Sequence, residues 1–251
     1  MKHFRFWITL EALVLLLVCS ACSSQATSNP VSRPSPTNQI QQQPVQPITG
    51  QQLLAHGSIT YVALGASDAV GVGSNKPGSQ GYVPLIADHL PKGSHLLNLG
   101  VSGIKLHAAL QKELPLALST SPRLITIWLV TNDFVAGVRY DDYMQDLATL
   151  LKQLREGTQA RIVMANLPDL TKLPAFAQKT AEQKATILTQ IRRWNTGIAT
   201  LATRYNIALV DLFIRGGALT THPEYISADG FHPSPSGYVQ LANYFWDAIK
   251  E

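Results

Sequence analysis

Two cysteines in 251 residues, Cys19 and Cys22, leave no room for a disulfide framework, because both fall inside the first 22 residues. No thiol follows them, and their C-x-x-C spacing sits in an apolar leader with no βαβ pattern around it, which argues against a redox or metal site. Charge is also scarce, at 14% of residues, with 20 Lys+Arg against 16 Asp+Glu. Apart from the pair Arg192-Arg193 the basic residues are scattered, and the net charge of +4 is no footprint for nucleic acid, which is excluded as a partner. Long apolar runs are missing too. The longest candidate, Ile8 to Val18, is broken by Glu11 and falls short of the roughly 20 residues that span a bilayer. No internal repeat and no second composition break appears after residue 58. What remains is a chain that is 45% hydrophobic, enough for one sizeable core.

The first 22 residues have the charge order of a secretory signal, with Lys2 and Arg5 ahead of the apolar stretch. The segment "VCSAC" resembles a bacterial lipobox ending at Cys22, although Cys19 stands where a leucine is usual. Lipidation of Cys22, cleavage after Ala26 in "SQA", and an uncleaved anchor are the three readings open here. Lipidation implies a domain fixed to the outer face of a bacterial membrane, and cleavage after Ala26 implies a secreted one. Residues 23–57 are rich in Ser, Pro, Gln and Thr and have too few apolar side chains to offset their ordering entropy, so a disordered tether is expected there. On that reading a chain beginning at Ser58 keeps its fold.

From 58 to 251, short apolar runs alternate with helical patterns. Five runs read as strands: Ile59–Leu64, Leu96–Leu99, Leu124–Val130, Arg161–Ala165 and Ala208–Phe213. Their near-continuous hydrophobicity fits strands covered on both faces, hence a parallel sheet in a three-layer α/β/α domain. Tyr143, Leu147, Leu150, Leu151 and Leu154 share one helix face, as do Ile187, Ile191, Trp194, Ile198 and Leu201. A last helix opens with Ser234 as cap and Pro235 in its first turn, and carries Tyr238, Leu241, Phe245, Trp246 and Ile249 inward. In such sheets ligands bind beyond the carboxyl ends of the strands, so the turns after the first three strands should share one rim.

Those turns carry polar groups. "YVALGASDAVG" presents Ser67 after the first strand, as a nucleophile or as a hydroxyl capping the next helix. "NLGVSG" brings Gly100 and Gly103, able to offer backbone N–H groups at close range or simply to turn the chain. "WLVTNDF" ends a strand with Thr131, Asn132 and Asp133, where Asn132 is an amide donor to an oxyanion or, with Asp133, part of a turn. Near the C-terminus, "ADGFHPSPSGY" sets Asp229 three residues before His232, as a catalytic pair or as a Pro-flanked loop into the last helix with His232 an ordinary surface residue. One turn at that spacing brings a carboxylate to one imidazole nitrogen and leaves the other facing a cleft, as a triad requires. An α/β-hydrolase fits poorly, because that fold sets its nucleophile after several strands and "GASDA" lacks the second glycine of Gly-x-Ser-x-Gly.

The order serine, glycine, asparagine and Asp-x-x-His resembles the SGNH hydrolases, also called GDSL-type esterases and lipases, across about residues 59–250. The resemblance implies a flavodoxin-like sheet, a shallow site, and hydrolysis of acyl esters without metal or cofactor. By motif position it implies Ser67 as nucleophile, His232 as base, Asp229 as its partner, and an oxyanion hole of the Ser67 N–H, Gly103 and Asn132. Two positions depart from the pattern. Gly-Asp-Ser-Leu appears as Gly65-Ala66-Ser67-Asp68, and Val130 replaces a glycine two before Asn132. Neither removes a proton-transfer or oxyanion group, so both bear on substrate choice. The expected partner is a small acyl ester, a lipid or an acylated glycan, walled by Asn166–Gln178 and Ile214–Ser227, and the domain is expected to be a monomer. The alternative is a non-catalytic protein binding envelope glycan or lipid on the same fold.

Overall fold

The computed structural model describes residues 46–251, apart from the side chains of 219 and 220. The leader, Cys22 and the tether up to residue 45 lie outside the described residues.

In chain order the elements are α1 (Gly50–Leu54), β1 (Thr60–Gly65), α2 (Ser67–Val70), α3 (Pro77–Gln80), α4 (Tyr82–Ala87), β2 (His95–Asn98), α5 (Leu106–Lys112) and α6 (Leu114–Ser119). They continue with β3 (Leu124–Trp128), α7 (Thr131–Val135), α8 (Tyr140–Gly157), β4 (Arg161–Ala165), α9 (Ala181–Arg204), β5 (Ala208–Val210), α10 (Leu212–Arg215), α11 (Ala218–Thr221) and α12 (Pro235–Lys250). The five strands form one parallel sheet in the order β2-β1-β3-β4-β5. Helices α4 and α12 pack together on one face, and α5, α6, α8 and α9 cover the other.

Central strands β1 and β3 are buried almost end to end, which is why their sequences read as apolar runs without alternation. The α8 stripe is buried throughout, and in α9 Ile191, Trp194, Ile198 and Leu201 are buried while Ile187 is only partly covered. Ser234 caps α12 by accepting from the Gly237 N–H, with Pro235 at the first helical position. Tyr238 and Phe245 are fully buried beneath it.

β1 and β2 are displaced by one residue from expectation, and β3 and β5 stop two or more residues short of it. β3 ends at Trp128, and residues 129 and 130 turn the chain into α7. β5 ends at Val210, because the Asp211 carboxylate accepts from the Ile214 N–H at 3.1 Å and starts α10 where a longer apolar run suggested strand. That cap is held in turn by Asn166, whose amide donates to Asp211 at 3.0 Å and accepts from the Leu212 N–H at 2.8 Å.

The tether boundary at residue 57 is corrected. Thr49 and Gln52 form a reciprocal capping box at the start of α1, and the Ile48 N–H donates to the Gln159 carbonyl at 3.1 Å. Leu53 is fully buried, and a Cβ on Gly50 would collide with the carbonyl of Ile249 in α12. Composition hid this turn, since one buried leucine among glutamines makes no periodic face. A chain beginning at Ser58 therefore loses Leu53's burial and uncovers the end of α12. Such a loss is worth about 2–4 kcal/mol, and at about 2–4 °C per kcal/mol in a domain of this size the Tm falls by roughly 5–15 °C. Calorimetry against a chain beginning at Gln46 checks this, and equal melting temperatures would mean that α1 contributes nothing.

Candidate active site

β1 delivers its last residue, Gly65, to the rim. The Gly65 N–H donates to Glu113 at 3.0 Å, so a buried side chain from between α5 and α6 fixes the strand end just before Ser67. Desolvation pushes the Glu113 carboxyl up to about 8, with the Gly65 N–H opposing, so it is largely uncharged at neutral pH. Sequence reasoning missed Glu113, since a single acidic residue in a helical stretch carries no signal of its partner.

The two readings of Ser67 separate here. Ala66, not Ser67, occupies the cap position of α2, and no side chain caps that helix. The Ser67 hydroxyl instead meets His232 Nε2 at 2.9 Å. The other ring nitrogen, Nδ1, lies 2.7 Å from Asp229 Oδ2. The second carboxylate oxygen, Oδ1, accepts from the N–H groups of Phe231 and His232 and from the Ser227 hydroxyl. Desolvation works against the charged form of Asp229, but the His232 ring, those two N–H groups and the Ser227 hydroxyl outweigh it. They hold Asp229 well below the usual carboxylate range. The three-residue spacing thus forms a single turn, with the carboxylate gripping the loop through one oxygen and the ring through the other.

On the opposite side of Ser67, the loops after β2 and β3 are tied to each other. Gly103 has φ +77°, in the left-handed region, and a Cβ there would meet nothing within 4 Å. Glycine is needed for backbone conformation rather than for space. Asn132, at the start of α7, donates one amide hydrogen to the Ile104 carbonyl at 2.9 Å, leaving its second hydrogen for another acceptor. Its neighbour Asp133 is buried and accepts from the Leu106 N–H at 3.0 Å. Read in sequence as part of a turn, Asp133 is a clamp on the start of α5. Val130 is buried at the cap position of α7, where no side chain makes a capping bond.

All five expected positions therefore sit on the carboxyl rim: Ser67 after β1, Gly103 after β2, Asn132 after β3, and Asp229 with His232 in the loop leading to α12. Both loops expected as walls contribute to a mainly apolar cavity of about 100 Å³ beside them. Leu170 and Leu173 come from the first loop and Tyr225 from the second, joined by Leu212, Phe231 and Leu241. His222 is not among its lining residues. It is exposed, 2.9 Å from Glu224 and stacked on Tyr225 at 4.7 Å between ring centres. Among the described residues no three His, Cys, Asp or Glu side chains are grouped to hold a metal ion, and no helix is long and apolar enough to cross a membrane.

Residues 58–240 match the family model described as the GDSL-like lipase/acylhydrolase family. The chain belongs to that family. Membership makes it a hydrolase of ester bonds. Among curated proteins it is similar to Esterase TesA of Pseudomonas aeruginosa, with 23% identity over 79% of this chain and 92% of that one. A solved structure of TesA superposes with a TM-score of 0.60 at 24% identity, covering 76% of this chain and 98% of the other. Axe2, an acetylxylan esterase from Geobacillus stearothermophilus, gives a TM-score of 0.61 at 19% identity, covering 78% and 96%. These likenesses confirm the expected α/β/α layering with a five-stranded parallel sheet.

Proposed function

We propose that this GDSL hydrolase cleaves carboxylic esters with Ser67 as nucleophile, His232 as general base and then acid, and Asp229 as the partner that fixes the histidine tautomer. The observation that carries this is the continuous chain of contacts Asp229–His232–Ser67, at 2.7 and 2.9 Å. Ser67 Oγ attacks the carbonyl carbon as its proton passes to His232 Nε2. The carbonyl electrons move to oxygen, held by the N–H groups of Ser67 and Gly103 and the second Asn132 amide hydrogen. The intermediate collapses, breaking the bond to the alcohol, which leaves with the proton from His232. Water then attacks the acyl-serine, giving up a proton to His232. Carboxylic acid departs and Ser67 regains its proton.

Cavity size bears on the substrate. A cavity of about 150 Å³ accepts benzene, so about 100 Å³ suits an apolar chain of a few carbons better than a long lipid tail. Short acyl esters, including short acyl groups on a glycan, are the substrate class this favours. Residues 1–45, with Cys22 as acceptor of a lipid, would hold the domain at the bacterial envelope. The functional test is covalent labelling with an active-serine fluorophosphonate, read by intact mass. One adduct on the wild type and none on Ser67→Ala is expected. A folded wild type that takes no label would favour a binding protein on the same fold.

A further inference from the structure

The apolar cavity has one polar wall. Asp68, Trp128 and Thr131 line the cavity and also line a narrow gap, too tight for a water, bounded by Ala66, Ile104, Leu129, Val130 and Asn132. These three are the residues the two spaces share, so together they form the partition between the cavity and the floor beneath the oxyanion side of the site. Two polar atoms of this partition are unspent. Trp128 Nε1 and Thr131 Oγ1 are buried without a hydrogen-bond partner among the described residues. The Asp68 carboxylate accepts from its own backbone N–H and from no other side chain, and the residue is only 8% exposed. Desolvation raises its carboxyl to about 6, with the charge of His232 opposing, so at neutral pH the group is mainly an ionised acceptor. An indole N–H and a hydroxyl left without partners in the wall of this cavity, beside a carboxylate with accepting capacity to spare, are costly unless something joins them.

The chemistry of the three groups defines what fits. Asp68 needs a donor, Trp128 Nε1 needs an acceptor, and Thr131 Oγ1 can serve as either. A hydroxyl group is both donor and acceptor in one atom pair, so it can donate to Asp68 and accept from Trp128. A cationic group is disfavoured because Arg215 already lines the same cavity. A carboxylate is disfavoured by Asp68. Because Asp68 directly follows Ser67, about 3.8 Å along the chain, the hydroxyl belongs near the scissile carbonyl rather than at the end of a long tail.

We propose that Asp68, Trp128 and Thr131 form a specificity site for a hydroxyl on the substrate's acyl chain, making short hydroxyacyl esters the preferred substrates. This rests on the esterase reading above and narrows it. It also gives a function to one departure from the family pattern, since the position after Ser67 would otherwise carry leucine.

The test compares kcat/KM for methyl butanoate and each enantiomer of methyl 3-hydroxybutanoate, in the wild type, Asp68→Leu and Trp128→Phe. One enantiomer should exceed the plain ester by about ten- to hundredfold, the usual worth of a hydrogen bond to a charged group. Asp68→Leu should bring that ratio to one or below, and Trp128→Phe should lower it about tenfold or less while keeping the ring's packing. The ratio, not the absolute rate, is the readout, so a general loss of activity in either variant does not mimic the result. A wild-type ratio near one, with methyl butanoate hydrolysed, overturns the proposal and leaves the esterase reading standing. A ratio unmoved by both substitutions overturns it equally. Failure of the esterase reading is separable, because neither ester would be hydrolysed and Ser67 would take no fluorophosphonate.

Discussion

Ser67→Ala is expected to lower kcat by about 10⁴–10⁶ and to leave the fold standing, because on the proposed mechanism the triad members act as a unit and the remaining groups cannot supply the nucleophile. Stability changes little for a local reason. The Ser67 hydroxyl has one side-chain partner, His232, and a single net hydrogen bond is worth about 1 kcal/mol, or about 2–4 °C in Tm. His232→Ala loses a similar factor, and the double variant is little worse than either single one. Hydrolysis assays and thermal melts on the three proteins check this. Full turnover by folded Ser67→Ala, or strictly multiplicative losses in the double variant, would remove the mechanism proposed for this site.

Asp229→Asn should cost about 10³–10⁴ in kcat without unfolding the loop, because it keeps the geometry and forces the wrong histidine tautomer. Asparagine can retain Oδ1, which accepts from the N–H groups of Phe231 and His232 and from Ser227. Its amide nitrogen then faces His232 Nδ1 and donates to it. The ring proton moves to Nε2, where it points at Ser67 Oγ and leaves the serine without a base. Asp229→Ala differs in kind, since it also removes the oxygen that organises the turn, and its melt should fall further than that of Asp229→Asn. Equal activity in Asp229→Asn and the wild type would show that the carboxylate only shapes the loop.

Much of this site was legible because its parts are local. The Asp-x-x-His turn is closed within four residues, and the serine, glycine and asparagine each follow a strand whose apolar run is plain to read. Glu113 and Asp133 were not legible, because each acts on a backbone N–H far away in sequence, at Gly65 and Leu106. The same is true of the partition. Asp68, Trp128 and Thr131 come from segments up to 63 positions apart, and nothing in their local sequence says that two of their polar atoms lack partners. Boundaries failed where a polar side chain overruled an apolar pattern, as when Asp211 stopped β5 short of Leu212 and Phe213. Helix α1 failed in the opposite sense, since a polar segment was anchored by one leucine and a capping box.

Helix α12 begins three residues after His232 and runs for 16 residues, about 24 Å at 1.5 Å per residue, to finish where Gly50 packs against its end. Both ends of the described domain therefore lie at the pole remote from the catalytic rim. A support, a fluorophore or a fused protein attached at either end would leave the cleft unobstructed. A short peptide joining residue 251 to residue 46 would close the chain into a ring. New ends could then be opened in the turn between α4 and β2, near Gly93, without cutting any segment that carries the chemistry.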